Sequence, residues 1–269
     1  MKNILKLEPF YNKKIWGYEK WNLSTHNNGH STITNSKNTL LKKLGKELPI
    51  MIKVIKAEDT LSVQVHPDDE YAKINENDSG KTECWYILEA KEGATLICGL
   101  KEGLNKSEFS KIIDSGDVEN YLERINVRKG DMIYIPSGTV HAIEDGVKLI
   151  EVQQSSDITY RMYDWGRDRE LHINKSLDVI DFNGKNNGGK IENFTKLETP
   201  YFNIEKVSVD SIYEDVVESD FHSYTVIGGS GFIYSNGEKI DLKNEETIYI
   251  PNRISYKIHG DIELIKAYI

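Results

Sequence analysis

Residues 130–141 read Gly-Asp-Met-Ile-Tyr-Ile-Pro-Ser-Gly-Thr-Val-His, and no other stretch constrains the fold as tightly. Lys129-Gly130-Asp131 is a turn signal, and Met132 to Ile135 is a short β-rich run suited to a buried strand. Pro136 cannot donate to a sheet ladder and Gly138 is free to take positive φ, so the chain turns sharply there. His141 then falls on the following strand, directed back toward whatever the first strand faces.

The stretch recurs. Lys129–Ile143 (KGDMIYIPSGTVHAI) aligns without gaps to Asn244–Ile258 (NEETIYIPNRISYKI), 115 residues further on. A strand–turn–strand unit repeated at that offset predicts two small β-barrels in tandem. The second copy has Glu245 for Gly130, Arg253 for Gly138 and Tyr256 for His141. Tyrosine is a poor substitute for imidazole as a ligand of a divalent metal, so the second barrel is expected to be a metal-free partner.

The rest of the chain fits a mainly β protein. Residues 1–50 read as polar and irregular, with aromatic anchors such as Trp16 and Trp21 and a long loop over 24–38 that leaves His26 and His30 exposed. Strands are predicted at Ile50–Ile55, Leu61–His66, Lys81–Leu88 and Lys148–Gln153. Pro67-Asp68-Asp69-Glu70 reads as a helix start, with Pro in the first turn and acids at the positive end of the dipole. Short helices are expected over Asn105–Ile113 and Asp117–Leu122. The Asn- and Gly-rich segment Asp181–Lys190 is the expected linker, dividing the chain into domains 1–182 and 190–269. Asn236-Gly237 marks a hairpin in the second of these.

Charge and cysteine content narrow the functional classes. The chain has 34 Lys and Arg against 43 Asp and Glu, a formal charge of −9. General binding to nucleic acid or to an anionic membrane calls for the opposite balance. Cys84 and Cys98 form no C-x-x-C pattern and read as reduced thiols. No apolar leader or membrane-length stretch is present, so a cytoplasmic location is expected.

Within the run Leu61–His66, Leu61, Val63 and Val65 alternate with Ser62, Gln64 and His66. Gln64 and His66 therefore share a strand face, about 7 Å apart. Alone they read as an ordinary polar face. With Glu83 and His141 on neighbouring strands they make a set of two imidazoles, one carboxylate and one amide oxygen. That set suits zinc, with room for water or substrate.

The chain resembles the type I mannose-6-phosphate isomerases of the cupin superfamily, in their short bacterial branch. The resemblance rests on Glu8-Pro9 with Ile15-Trp16-Gly17, Leu61–Pro67, Lys81-Thr82-Glu83, Pro136–His141 followed by Glu151-Val152, and Ser156–Arg161. The spacing of Gly130, Pro136, Gly138 and His141 is that of the second cupin motif. Position by position, it implies one Zn²⁺ per chain held by Gln64, His66, Glu83 and His141, with Arg161 as the active-site arginine. Gln64 stands where the first cupin motif has a histidine, and the glutamate is displaced to Glu83. The fold implied is all-β, two tandem jelly-roll barrels with a few short helices inserted in the first.

The chemistry implied is interconversion of mannose-6-phosphate and fructose-6-phosphate through a cis-enediol(ate). Such a reaction needs a cation beside the developing oxyanion, a base to carry the proton and an anchor for phosphate. Arg161 and Lys81 are candidates for the cationic roles. Glu151 and Asp157 are candidates for the base, and sequence does not rank them. The Tyr160, Tyr163 and Trp165 stripe reads as core. An iron oxygenase with two His and one carboxylate, or a non-catalytic sugar-binding cupin, would share part of the pattern. A sugar phosphate is the expected partner, and the chain itself is expected to be a monomer or homodimer.

Overall fold

The computed structural model describes residues 3–184, 186 and 188–269. The chain is mainly β, with short helices at Leu40–Leu44, Asp69–Asn75, Lys106–Ser115 and Ile173–Val179 and a 3₁₀ turn at Val118–Tyr121. Among the described residues the strands lie in three sheets of eight, seven and five strands. Two compact units form. One contains the described residues of Met1–Asn12 with Lys20–Val54 and Asn193–Ile269, and the other contains Lys13–Glu19 with the described residues of Ile55–Glu192.

In the first unit the long strands Asn203–Val216, Phe221–Ser235 and Ser255–Tyr268 pair antiparallel. Their alternating apolar residues, Val207, Val209, Tyr224, Val226, Ile258 and Leu264 among them, pack with Ile248 and Ile250 of the repeated Ile-Tyr-Ile-Pro run. Asn236 (φ +50°) and Gly237 (φ +83°) both take the left-handed conformation, as a two-residue hairpin requires. The first fifty residues are more ordered than expected, with strands at Leu5–Glu8, Phe10–Lys14 and Gly17–Leu23. Leu5 and Leu7 are buried by pairing with Tyr249 and Thr247. His26 and His30 are half-buried rather than exposed, because Ser24, Thr25 and Ser31 beside them are fully buried.

In the second unit Glu83–Ala90 lies between Met132–Ile135 and Val147–Gln154. The five-stranded sheet runs Tyr160–Tyr163, Val63–Val65, His141–Ile143, Thr95–Leu100, Leu122–Asn126. The Pro136–Gly138 turn carries the chain from one of these sheets to the other. Gly138 has φ +84°, and a Cβ there would meet Val179 O at 3.0 Å, so the turn needs glycine twice over. Trp85, Ile87, Leu96, Ile133, Ile135, Ile143 and Leu149 pack together behind it.

Local signals held with small shifts. Asp68, not Pro67, caps the helix Asp69–Asn75, its side chain accepting from Tyr71 N, while Pro67 O accepts from Lys81 N. Asn105 and Glu108 form a capping box. The expected helix over Asp117–Leu122 is only a 3₁₀ turn, since Leu122 already begins a strand beside Leu100. Of the expected linker, Lys185 and Asn187 lie outside the described residues, and Gly189–Ile191 forms a strand against Met132–Tyr134. Cys84 is buried, Cys98 is half-buried, and both are free thiols.

Candidate metal centre and active site

Three separate stretches of strand deliver the donors. Gln64 lies in Val63–Val65 with His66 just past its end, Glu83 opens Glu83–Ala90, and His141 opens His141–Ile143. His141 faces Gln64 in antiparallel register, so their side chains share a face. His66, Glu83 and His141 are 1 %, 0 % and 1 % exposed. Their candidate ligand atoms all lie within 4.8 Å of one another. His66 Nε2 is 3.6 Å from Glu83 Oε2, and His141 Nε2 is 3.5 Å from Glu83 Oε1.

Backbone carbonyls aim both rings. His66 Nδ1 is 2.7 Å from Ile158 O and His141 Nδ1 is 2.8 Å from Thr139 O. A carbonyl can only accept, so each Nδ1 carries a proton, and in the neutral form of either ring Nε2 keeps a lone pair on the Glu83 side. Burial keeps the His141 ring neutral, down to a pKa of about 4. The Thr139 carbonyl and Glu151 oppose that shift, and the Lys81 cation adds to it. Gln64 Nε2 is 3.2 Å from His141 Nε2, donating into that lone pair; a half-turn of the amide would present Oε1 instead. Two imidazoles, one carboxylate and one amide, converging in a buried spot, fit a divalent metal of the zinc kind.

Lys81 joins the cluster. Its Nζ is 2.5 Å from Glu83 Oε2 and 3.0 Å from His66 Nε2, and the residue is 4 % exposed. Arg161 stands opposite Gln64 in register, which puts it on the same face of the sheet. Its Nε donates to Ser62 Oγ at 3.2 Å and its NH1 to Glu170 O at 2.8 Å. Burial lowers the Arg161 pKa; the Arg169 and Arg167 cations add to this, against Asp164 and Glu170. Glu151 is buried opposite Trp85 in register, and Trp85 Nε1 donates to its Oε2 at 3.0 Å. The Trp85 ring lies edge-on to His141, 5.4 Å between centroids. Asp157 is exposed, on the loop whose Ile158 carbonyl receives His66.

Residues 13–96 match the family model of the phosphomannose isomerase type I catalytic domain, and residues 190–269 match that of the mannose-6-phosphate isomerase cupin domain. The mannose-6-phosphate isomerase of Streptococcus mutans is 34 % identical over 313 aligned residues, covering 100 % of this chain and 99 % of the relative. The chain belongs to the type I mannose-6-phosphate isomerase family.

Further comparisons agree. The Bacillus subtilis protein ManA is 32 % identical, with 98 % of each chain covered. A crystal structure of the Bacillus subtilis mannose 6-phosphate isomerase superposes with a TM-score of 0.91 at 31 % identity, covering 99 % of each chain. A mannose 6-phosphate isomerase bound with zinc and yttrium shares the fold, with a TM-score of 0.77 at 15 % identity. Membership of this family makes the chain an enzyme with the cupin fold and sets aside the oxygenase and the non-catalytic readings.

The sequence did not point to the groups that hold the site in place. Trp85 reads as core until register places it against Glu151, and Ser62 reads as strand surface until Arg161 reaches it. The carbonyls of Thr139 and Ile158 carry no sequence signal, because any residue supplies one.

Proposed function

We propose that the chain interconverts mannose-6-phosphate and fructose-6-phosphate through a cis-enediol(ate), with one zinc ion held by His66, Glu83 and His141 and by the Gln64 amide once rotated. The convergence of His66, Glu83 and His141, with both Nδ1 protons given to backbone carbonyls, is the observation that carries this reading. Bound there, zinc would supply Lewis acidity toward the substrate oxygens. Arg161 cannot deprotonate near neutral pH, so it serves as a fixed cation, braced by Ser62 and the Glu170 carbonyl where negative charge develops. Lys81 brings a second cation to the same spot.

Of the two candidate bases, Glu151 is the better placed to move the proton between C1 and C2. It is buried and held by the Trp85 indole, and Trp85 itself lies against His141. Asp157 faces solvent. We assign catalysis to the segment 1–182, whose site residues all fall in the unit that contains Ile55–Glu192, leaving 190–269 a metal-free cupin-like region, with a cytoplasmic monomer or homodimer as the working form. Among the described residues no helix is long and apolar enough to cross a membrane. Metal analysis of protein purified without added metal, with a coupled assay for fructose-6-phosphate, tests the proposal. About one zinc per chain, and activity lost to chelators and restored by zinc, is the expected result. Active, folded protein free of metal would overturn it.

A further inference from the structure

Gln153 and Gln154 end the strand Val147–Gln154, with 0 % and 6 % exposure. Neighbours on a strand point to opposite faces, and these two reach different parts of the site. Gln153 stands opposite Glu83 in register. Its Nε2 donates to Gln154 O at 2.8 Å and to Ser156 O at 2.6 Å, closing the turn that leads to Ile158. Ile158 O is the acceptor that aims His66. Gln154 Oε1 accepts from Thr82 N at 2.9 Å, and its Nε2 donates to Asp69 Oδ1 at 2.9 Å. Thr82 lies between Lys81 and Glu83, and its Oγ1 accepts from Ser137 N at 3.2 Å, in the turn that precedes His141.

Burying a carboxamide is costly unless its polar atoms are paired, and Gln153 Oε1 is buried without a protein partner. Strand pairing alone would be served better by an apolar side chain of that size. Among the described residues the amide's donor bonds only to the turn.

We infer that Gln153 and Gln154 are positioning residues of the metal centre, Gln153 acting on His66 through the Ile158 turn and Gln154 on Glu83 through Thr82. This rests on the reading of His66, Glu83 and His141 as ligands. Partners behind metal ligands typically hold about 10–100-fold in metal affinity.

Gln153→Met and Gln154→Met keep the length of the side chain and remove the amide. Each should bind zinc about 10–100-fold more weakly than the parent, by competition with a chelating dye, and should alter the visible spectrum of the cobalt(II) protein. Ser223→Ala is the control. Ser223 is equally buried in the other unit, its Oγ donating to Ile248 O at 3.0 Å, so the variant should lower Tm and leave metal affinity unchanged. A second readout needs no variant: zinc should slow hydrogen exchange of the Thr82 amide in the parent protein, because coupling between metal and clamp is reciprocal. Parent-like zinc affinity and cobalt spectra in folded methionine variants would overturn the inference while leaving the ligands standing. If those variants do not fold, an unchanged Thr82 exchange rate would overturn it. A parent chain that binds no divalent metal would overturn the ligand reading, and the inference with it.

Discussion

The Lys81 ammonium lies 2.5 Å from Glu83 Oε2, with 4 % and 0 % of the two side chains exposed. A cation held against the donors that a divalent ion would use repels that ion, and in a buried site the repulsion is weakly screened. Lys81→Met should therefore bind zinc at least as tightly as the parent, yet isomerise far more slowly, since a cation beside the reacting oxygens is gone. Zinc titration and the coupled assay read the two effects separately. Parent-like turnover would take Lys81 out of the chemistry.

Truncating a ligand should do the opposite to metal binding. His141→Ala and Glu83→Ala should both lose zinc and activity, whereas the other unit, built on its own cluster of Val207, Tyr224, Ile248 and Leu264, should still melt cooperatively. Elemental analysis with calorimetry checks both halves. Retention of zinc by His141→Ala would remove that residue from the proposed set.

Arg161 is held at two points before substrate arrives, by Ser62 Oγ and Glu170 O, so its charge is preorganised. Loss of one such contact typically costs about 10²–10³ in rate, roughly 2.7–4 kcal/mol. Arg161→Ala should keep zinc and fold, lower kcat by about that factor and change KM by less than about tenfold. Arg161→Lys should recover part of the rate, lacking the planar fork. Near-normal kcat with a greatly raised KM would make Arg161 a phosphate anchor instead.

Tyr256, the counterpart of His141 in the repeat, is the hub of a buried network. Its hydroxyl lies 2.8 Å from His222 Nδ1, 2.7 Å from Tyr224 OH and 3.0 Å from Asp215 Oδ2, and Lys266 Nζ reaches the same oxygen at 2.7 Å. Tyr256→Phe should leave zinc content unchanged. Its stability cost should be about 1–3 kcal/mol, because partners are left buried and unpaired. Denaturant unfolding measures the cost, and a fall in bound zinc would contradict the metal-free reading of this unit.

The same network sets an acid limit. Burial, then the Lys266 cation, hold the His222 pKa down at about 4, against the pull of Asp215; Tyr224, Tyr256 and Tyr268 complete its surroundings. Unfolded, the ring titrates near 6.5. The folded chain therefore binds fewer protons between these values. The contribution of His222 to stability is complete above about pH 6.5 and is lost as pH falls toward about 4. Tm of the metal-free protein should drop across that window, and less steeply in His222→Gln. Equal slopes would assign the acid sensitivity to other groups.

What could be read from the chain alone was what short-range chemistry dictates. The Pro136–Gly138 turn, the alternation around Gln64 and the Asn236-Gly237 hairpin each depend on a few adjacent residues, and each appears where expected. The strand Leu5–Glu8 did not announce itself, because four residues carry little periodicity, its local partner Thr32–Ile33 is only two residues long, and its other partner Thr247–Pro251 is distant in sequence. The contrast between Glu151 and Asp157 was equally hidden. Both are acids close to the motif, and only strand register puts one behind Trp85 while a loop leaves the other in water.

The pairing of Leu5–Glu8 with Thr247–Pro251 has a consequence for how the molecule is made. On the ribosome one edge of this strand can pair early with Thr32–Ile33, but its other edge has to wait until Thr247–Pro251 has been synthesised. The residues of the metal centre, from Gln64 to Arg161, are all out well before then. Domains tend to fold as units during synthesis, and contacts so distant in sequence close slowly. The unit that carries the chemistry is therefore free to assemble first, and closure of its neighbour is the late step, in which a stalled or truncated chain would leave Leu5 and Leu7 exposed to aggregation.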